Sequence, residues 1–198
     1  MTDEGVIGRE AVLHTIRRPW KLSVEDCPCD VDFTTWLAGN GVTGRSIFHF
    51  GSGEHHHVGL YCARDGAGNS VLAVTATPRE HDAYVRIVTK QPEVSKRYAV
   101  QFGDIYTTNA ALLPVFDIVT LFHLCEFRDE RNDAYGALTD AELLELMAGR
   151  VAASGHLLVY PGSYAWARAE PIVEAWASSG VFERLDDFRS LRVYRRAG

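Results

Sequence analysis

From Arg45 onward the sequence alternates between short apolar runs and stretches with helical potential, and this alternation restricts the fold more than any other feature. The apolar runs are SIFHF, SVLAVTA, YAVQFGD, FDIVTLFHL and GHLLVYPG, and they carry little polar alternation. A strand that is apolar on both faces has to be covered on both faces, as in a parallel sheet between two layers of helices. The sequence therefore predicts an α/β fold built on a parallel sheet.

Helices are predicted before and between these runs. The segments are residues 6–17, 32–37, 56–63, 79–90, 138–154 and 169–178. Thr139 followed by Glu142 predicts a capping box at the start of the fifth of these segments. The last two apolar segments, VFERLDDF and SLRVYRR, are separated by a short polar turn, which favours an antiparallel hairpin at the carboxyl end.

Composition and charge narrow the classes of function. With 198 residues, 46% of them hydrophobic, we expect one domain over residues 1–198: a helical cap over 1–44 and an α/β core over 45–198. The net charge of -6 offers no basic field to a nucleic acid, and no apolar run approaches the roughly 20 residues of a membrane helix. We therefore expect a cytoplasmic protein with no nucleic-acid or membrane partner, and no protein interface is readable.

The cysteines predict neither disulfides nor a zinc site. In a reducing cytosol we expect the thiols to stay free. Cys27 and Cys29 stand one residue apart in CPC, without a second Cys or His pair at zinc-ribbon spacing. We therefore expect a surface turn there. Arg17, Arg18 and Trp20 nearby are candidates for a lid over a substrate or, equally, for a basic surface turn with one anchoring Trp.

The stretch FHFGSGEHHHVG joins the first strand to a glycine loop and a helix. With the βα units and the hairpin that follow, residues 45–196 resemble the class I S-adenosylmethionine-dependent methyltransferases, although the glycine motif is degenerate. The resemblance implies a Rossmann-like, doubly wound, mostly parallel seven-stranded sheet of order 3-2-1-4-5-7-6. It also implies a C-terminal antiparallel hairpin and an N-terminal helical cap. The implied cofactor is S-adenosylmethionine, and the implied substrate is a small molecule.

The resemblance also assigns roles to the first strand and its loop. In the family this strand ends in an acidic residue, followed by a G-x-G-x-G loop whose bare backbone lets the cofactor approach. Here His49 stands at the acidic position, and Gly51, Ser52 and Gly53 form the loop. His55 stands at the third glycine position. The implied cofactor-binding residues in this region are His49 and the three loop residues.

Three further strands complete the implied site. The second strand of the family ends in a carboxylate that holds the ribose, and here Thr75 stands at that position. Asp104, after the third strand, matches the position that contacts the adenine region. His123 and Glu126 follow the fourth strand, whose end faces the methyl donor and the substrate. We therefore expect Thr75 and Asp104 to bind the cofactor and His123 or Glu126 to act as the catalytic base.

The histidines allow more than one interpretation. If the first and fourth strands are neighbours, His49 and His123 open into one crevice at the point where the strand order reverses. A divalent metal bound by His49, His55, His57 and His123 is one possibility, because neutral imidazole is a common metal ligand. The alternatives are histidines that line the pocket, with or without acid–base use, and histidines that bind an anion at the helix terminus. We favour pocket-lining histidines that can act as acid or base.

Two classes of function follow. The leading hypothesis is a methyltransferase-like enzyme that transfers a methyl group from S-adenosylmethionine to a small molecule. The alternative is a repurposed methyltransferase fold that has lost the donor and binds a metal or another ligand through its histidine-rich pocket. Thr75 and the crowded histidine loop support the alternative. A noncatalytic subunit remains a third class.

Overall fold

The computed structural model describes residues 21–198, which form seven strands, six α-helices and three short 3₁₀ turns. The predicted helix over residues 6–17 and the lid candidates Arg17, Arg18 and Trp20 lie outside the described residues. The strands are β1 Ser46–Phe50, β2 Ser70–Thr75, β3 Tyr98–Phe102, β4 Phe116–Leu121, β5 Val151–Val159, β6 Phe182–Arg184 and β7 Arg192–Arg196. The helices are α1 Cys29–Gly39, α2 His57–Arg64, α3 Pro78–Lys90, α4 Glu130–Asp133, α5 Asp140–Ala148 and α6 Trp166–Ala177.

The strands pair into a sheet of order β3-β2-β1-β4-β5-β7-β6. Strands β1 to β5 are parallel to one another, and β7 is antiparallel to both β5 and β6. The strand order reverses between β1 and β4, which pair directly. The predicted fold class, with its sheet order and closing hairpin, is therefore confirmed.

Each face of the sheet is covered by its own apolar cluster. One cluster joins Phe48, Leu121 and Val159 to the buried residues of α5 and α6. The other joins Ile47, Ala73 and Leu158 to α1 and α2. Because alternate strand residues enter opposite clusters, nearly every strand position has to be apolar, which explains the near-continuous runs of the sequence.

Most predicted helices occur close to their expected positions, but the prediction for residues 138–154 is wrong at its carboxyl end. The capping box of Thr139 and Glu142 is present, and α5 ends at Ala148. Strand β5 then begins at Val151, which pairs with Phe116. The pairing register shifts after this point, and the backbone of Gly155 passes close to the Asp117 carbonyl. Pairing with β4 and burial of Val151 outweigh the helical propensity of VAAS.

Helix α1 covers the predicted helix over residues 32–37 and extends it by a turn toward the amino end. It packs against α2, and the ring of its Phe33 lies edge-on to Phe122, which follows β4. This packing carries the first turn of α1 to the carboxyl ends of β1 and β4. No helix among residues 21–198 is both long enough and apolar enough to cross a membrane.

Candidate functional site

A cleft opens beyond the carboxyl ends of β1, β2 and β4, at the point where the strand order reverses. It encloses about 820 Å³ of atom-free space, a volume that includes the solvent at its open mouth. The predicted residues that line it are Gly51, Gly53, His55, Thr75, Asp104, His123 and Glu126. In α/β folds of this type the reversal point is the usual ligand site. The structure therefore brings most of the predicted site residues to one cleft.

His49 lies beneath the cleft rather than on its surface. It is buried in β1 next to Thr120 of β4, and its Nδ1 is 2.8 Å from the Thr120 hydroxyl. Its Nε2 lies 3.6 Å from Oδ1 of Asp30. Burial lowers the pKa of His49 to about 3, so this imidazole is neutral near pH 7.

Asp30 is a site residue that the sequence did not reveal. It belongs to the first turn of α1, and its carboxyl group is buried at the cleft between His49 and His55, with Oδ2 3.7 Å from His55 Nε2. Burial raises the pKa of Asp30 to about 7, an effect that the neighbouring His123 and Cys29 reduce. A carboxyl group therefore stands beside the position where the resemblance implied one and the sequence has His49.

The glycine loop is shaped around two imidazole rings. Gly51 and Gly53 have positive φ angles of 89° and 56°. A Cβ atom on Gly51 would lie 2.6 Å from Cδ2 of His123, and one on Gly53 would lie 2.4 Å from Nε2 of His55. Both positions therefore require glycine for the backbone angle and for the close approach of a ring. Ser52, between them, is buried.

The side chains of the three consecutive histidines, residues 55–57, lie in three different environments. His55 lines the cleft. His56 has a left-handed backbone, with φ 50°, and its buried ring contacts the Tyr98 hydroxyl at 2.7 Å and the Glu80 carbonyl at 2.9 Å. His57 opens α2, with its Nε2 3.2 Å from the Thr34 hydroxyl. Burial lowers the pKa of His55 and of His56 to about 4.

The predicted metal set of His49, His55, His57 and His123 is not the group that the structure gathers at coordination distance. In residues 21–198 one group of three His, Cys, Asp or Glu side chains has all its ligand atoms within 4.8 Å of one another. Its members are Cys27, Cys29 and His123. His57 is instead held by α1, and His49 by β4.

The surface turn expected at CPC is a wrong prediction. Cys29 is buried as the first residue of α1, Cys27 is half-buried, and both line the cleft. Their sulfur atoms are 3.4 Å apart. This shared contact lowers the pKa of the Cys27 thiol and, together with burial, raises that of Cys29. The packing of α1 against the sheet carries the CPC segment inward, which the local sequence does not indicate.

Thr75 ends β2 as predicted, and its hydroxyl donates a hydrogen bond to Oε2 of Glu80. Glu80 lies in the first turn of α3, and its buried carboxylate also lines the cleft. The end of β2 therefore has a carboxylate after all, supplied by the following helix. The sequence signal is the acidic residue in PREH, five residues after Thr75.

Asp104 lies at the cleft after β3, where its carboxylate also organises the local chain. Oδ1 accepts a hydrogen bond from the Tyr106 amide at 2.9 Å. Oδ2 accepts from the Asn132 amide group at 2.7 Å and from the Tyr135 hydroxyl at 2.5 Å. Asp104 therefore joins the end of β3 to α4 while remaining at the cleft.

His123 and Glu126 form a pair in the turn after β4. Nδ1 of His123 lies 3.2 Å from Oε2 of Glu126, and Oε1 of Glu126 accepts a hydrogen bond from Ser163 at 2.6 Å. Burial lowers the pKa of His123, but the Glu126 carboxylate, with Asp30, outweighs it and raises that pKa above its ordinary value. An imidazole oriented by a carboxylate is a suitable proton acceptor.

Several solved structures share this fold. The [4+2]-cyclase SpnF superposes with a TM-score of 0.57 at 18% identity, covering 85% of this chain and 63% of SpnF, so the chain spans less than two thirds of that protein. The methyltransferase CcbJ from Streptomyces caelestis gives a TM-score of 0.60 at 13% identity, covering 86% of this chain and 90% of CcbJ. Magnesium protoporphyrin IX methyltransferase from Synechocystis PCC 6803, with bound SAH, gives 0.59 at 11% identity and 89% coverage of both chains.

These likenesses establish the fold: the chain has the architecture of the class I methyltransferases. No family model matches the sequence, and no curated protein matches it. Identities below 20% show shared architecture and leave the chemistry to be argued from the site itself.

Proposed function

We propose that the protein binds S-adenosylmethionine in this cleft and transfers its methyl group to a small-molecule acceptor. When bound, the cofactor supplies a methyl group activated on a sulfonium sulfur. The chain's own residues would hold the cofactor, orient it toward the acceptor and remove the acceptor's proton. The similarity of the fold to methyltransferases supports the proposal. The main observation behind it is the position of two carboxyl groups, those of Asp30 and Glu80.

The two positions at which the sequence lacks the expected carboxylate each have one nearby in space. Asp30 of α1 lies 3.6 Å from His49, and Glu80 of α3 bonds the Thr75 hydroxyl. Both groups are buried, and both line the cleft. A carboxylate has two oxygens and can accept a hydrogen bond from each ribose hydroxyl on a separate atom, which a single threonine hydroxyl cannot do. The residues present therefore fit the cofactor, with Glu80 toward its ribose and Asp104 toward its adenine.

The charge of the cleft also suits this cofactor. Four acidic side chains line it: Asp30, Glu80, Asp104 and Glu126. A sulfonium and an ammonium group both carry positive charge, and buried carboxylates attract such groups more strongly than exposed ones do. Asp30, beside the glycine loop, would face the ammonium group of the cofactor.

His123 and Glu126 would remove the proton of the acceptor. His123 lines the cleft next to the glycine loop, and its other ring nitrogen faces Glu126. The imidazole would take the proton, and the carboxylate would stabilise the imidazolium that forms. Alignment of donor and acceptor would supply most of the remaining acceleration.

The test is calorimetric titration with S-adenosylhomocysteine, which binds without turnover. We expect saturable binding to the wild type and a loss of about tenfold in affinity, or ~1.4 kcal/mol, for Glu80→Gln and for Asp30→Asn. The matched controls are Glu93→Gln, on an exposed 3₁₀ turn, and Asp32→Asn, whose carboxylate in α1 contacts Ser190 instead.

Melting temperatures of all four variants separate lost binding from lost folding. Absence of heat with both S-adenosylmethionine and S-adenosylhomocysteine at high protein concentration would refute the proposal. Equal affinities for Glu80→Gln and Glu93→Gln would refute the role of Glu80.

A further inference from the structure

Two cysteines and a histidine meet at one side of the cleft, and the proposed function does not use the two thiols. The sulfur atoms of Cys27 and Cys29 are 3.4 Å apart, and each lies within 4.8 Å of a ring nitrogen of His123. All three residues line the cleft. They come from separate parts of the chain, the start of α1 and the turn after β4, so this proximity is a product of the fold.

The spacing of the three groups suits a tetrahedral Zn²⁺ ion. Zinc–sulfur bonds of about 2.3 Å place two thiolates of one tetrahedral ion about 3.8 Å apart. The sulfur atoms of Cys27 and Cys29 are within a few tenths of an ångström of that separation. Cys27 is half-buried and lies just before α1.

The surroundings of His123 match those of a metal-bound imidazole. Its Nδ1 faces Oε2 of Glu126 at 3.2 Å, which leaves Nε2 for an ion. Ligating histidines usually give their other nitrogen to a carboxylate, which fixes the ring orientation. Glu126 is fixed in turn by the hydroxyl of Ser163 at 2.6 Å. The same arrangement of carboxylate and imidazole is usual around metal-bound histidines.

We propose that Cys27, Cys29 and His123 bind one Zn²⁺ ion whose fourth position opens into the cleft. Two thiolates and a neutral imidazole balance the charge of the ion. Two Cys and one His with an open position is a donor set used by catalytic zinc, whereas structural zinc has four protein ligands. Within residues 21–198 no other group of three such side chains meets the same distance limit.

The open position indicates the class of acceptor, and this part rests on the proposed function. Thiolates are good ligands of zinc, so we take the acceptor group to be a thiol. On coordination the S–H bond breaks, the sulfur–zinc bond forms, and the proton leaves to solvent. The thiolate sulfur would then attack the methyl carbon of S-adenosylmethionine, so that a sulfur–methyl bond forms, the methyl–sulfonium bond breaks and S-adenosylhomocysteine leaves. With the ion in place His123 is a zinc ligand and no longer the proton acceptor. Coordination to zinc then lowers the pKa of the acceptor thiol.

The test uses full-length protein without a histidine tag, titrated with ZnCl₂ or CoCl₂ after chelator treatment. We expect one equivalent of zinc per chain by elemental analysis, and a thiolate-to-cobalt charge-transfer absorption with Co²⁺. Cys27→Ala and His123→Gln should lose at least tenfold in zinc affinity. The matched control is Cys62→Ala, since Cys62 is buried in α2 within the apolar core.

Every outcome of this experiment is informative. Binding of less than a tenth of an equivalent of zinc to folded wild-type protein would overturn the proposal, as would equal zinc affinity for Cys27→Ala and Cys62→Ala. A small thiol should shift the cobalt spectrum, and an unchanged spectrum would overturn the open position. None of these readouts needs S-adenosylmethionine. A protein that binds zinc without binding S-adenosylhomocysteine would refute the proposed function and leave the zinc site standing.

Discussion

At the scale of single residues, buried titratable groups define the chemistry of the cleft. His56 illustrates how strongly burial acts on them. Its Nε2–H donates to the Glu80 carbonyl, and its Nδ1 accepts from the Tyr98 hydroxyl, so the neutral ring satisfies both partners. A protonated ring would bring a positive charge into this buried position and would force the Tyr98 hydroxyl to give up its hydrogen bond to Nδ1. His56 is therefore a neutral structural group that holds α3 near the cleft.

This arrangement predicts a pH dependence of stability. Burial lowers the pKa of His56 from 6.5 to about 4, with smaller effects from Arg86, Glu54 and His81. The unfolded chain then binds more protons than the folded one between these two values. The contribution of neutral His56 to the free energy of unfolding is fully present above pH 6.5. It is lost as the pH falls toward 4, and the loss reaches at most about 3 kcal/mol.

Urea unfolding of wild-type protein and His56→Gln across this pH range measures the effect. The difference in unfolding free energy between the two proteins should shrink as the pH falls, because glutamine cannot take up the proton. A difference that stays constant from pH 7 to pH 4 would contradict the buried neutral state. Comparing the two proteins cancels the titration of other groups, provided that the substitution leaves their environments unchanged.

At the scale of elements, the first residues of β4 and β5 meet at an irregular point of the sheet, at the amino ends of the two strands. Gly155 of β5 faces the backbone of β4 so closely that an added Cβ would lie 2.6 Å from the Asp117 carbonyl oxygen. This contact sits at the register shift between the two strands. The irregularity therefore depends on glycine at this position.

Gly155→Ala should destabilise the protein by about 1–3 kcal/mol, because the methyl group meets backbone atoms that cannot move aside. The control is Gly39→Ala at the end of α1, where nothing lies within 4 Å of an added Cβ. Its effect should be neutral to mildly stabilising. Urea denaturation measures both, and equal midpoints for Gly155→Ala and the wild type would contradict the close approach of β4 and β5.

The limits of sequence-based prediction are also clearest at this scale. The apolar runs predicted the strands, because a strand buried on both faces must be mostly apolar, as SIFHF and FDIVTL are. The end of α5 was missed, because Val151 enters a strand through contacts with Phe116, 35 positions earlier in the chain. Local propensity does not contain such a contact. The resemblance supplied the sheet order, which periodicity alone does not give.

The sequence predicted only the part of the candidate site that follows the ends of strands. His123, Glu126 and the glycine loop follow strands that the sequence identifies, so their convergence followed from the topology. Asp30 and Glu80 were missed because each enters the cleft from the first turn of a helix rather than from a strand end. Cys27 and Cys29 were placed on the surface because their burial depends on how α1 packs against α2.

At the scale of the whole molecule, one cleft lies between carboxyl groups supplied by α1 and α3, and we propose that it holds S-adenosylmethionine. The architecture is that of class I methyltransferases, and it brings Asp30, Glu80 and His123 to the same opening from three separate elements. The cleft combines this arrangement with a Cys–His group that the fold does not require. A shared architecture carries different chemistries, so the ligand itself has to decide between them.

The most direct measurement is a crystal structure of the protein grown with S-adenosylhomocysteine. The account predicts ligand density above Gly51 and Gly53, with the ribose hydroxyls within hydrogen-bond distance of the Glu80 carboxylate and the amino group toward Asp30. Ligand density elsewhere on the molecule, or density in the cleft with the ribose away from Glu80, would contradict it.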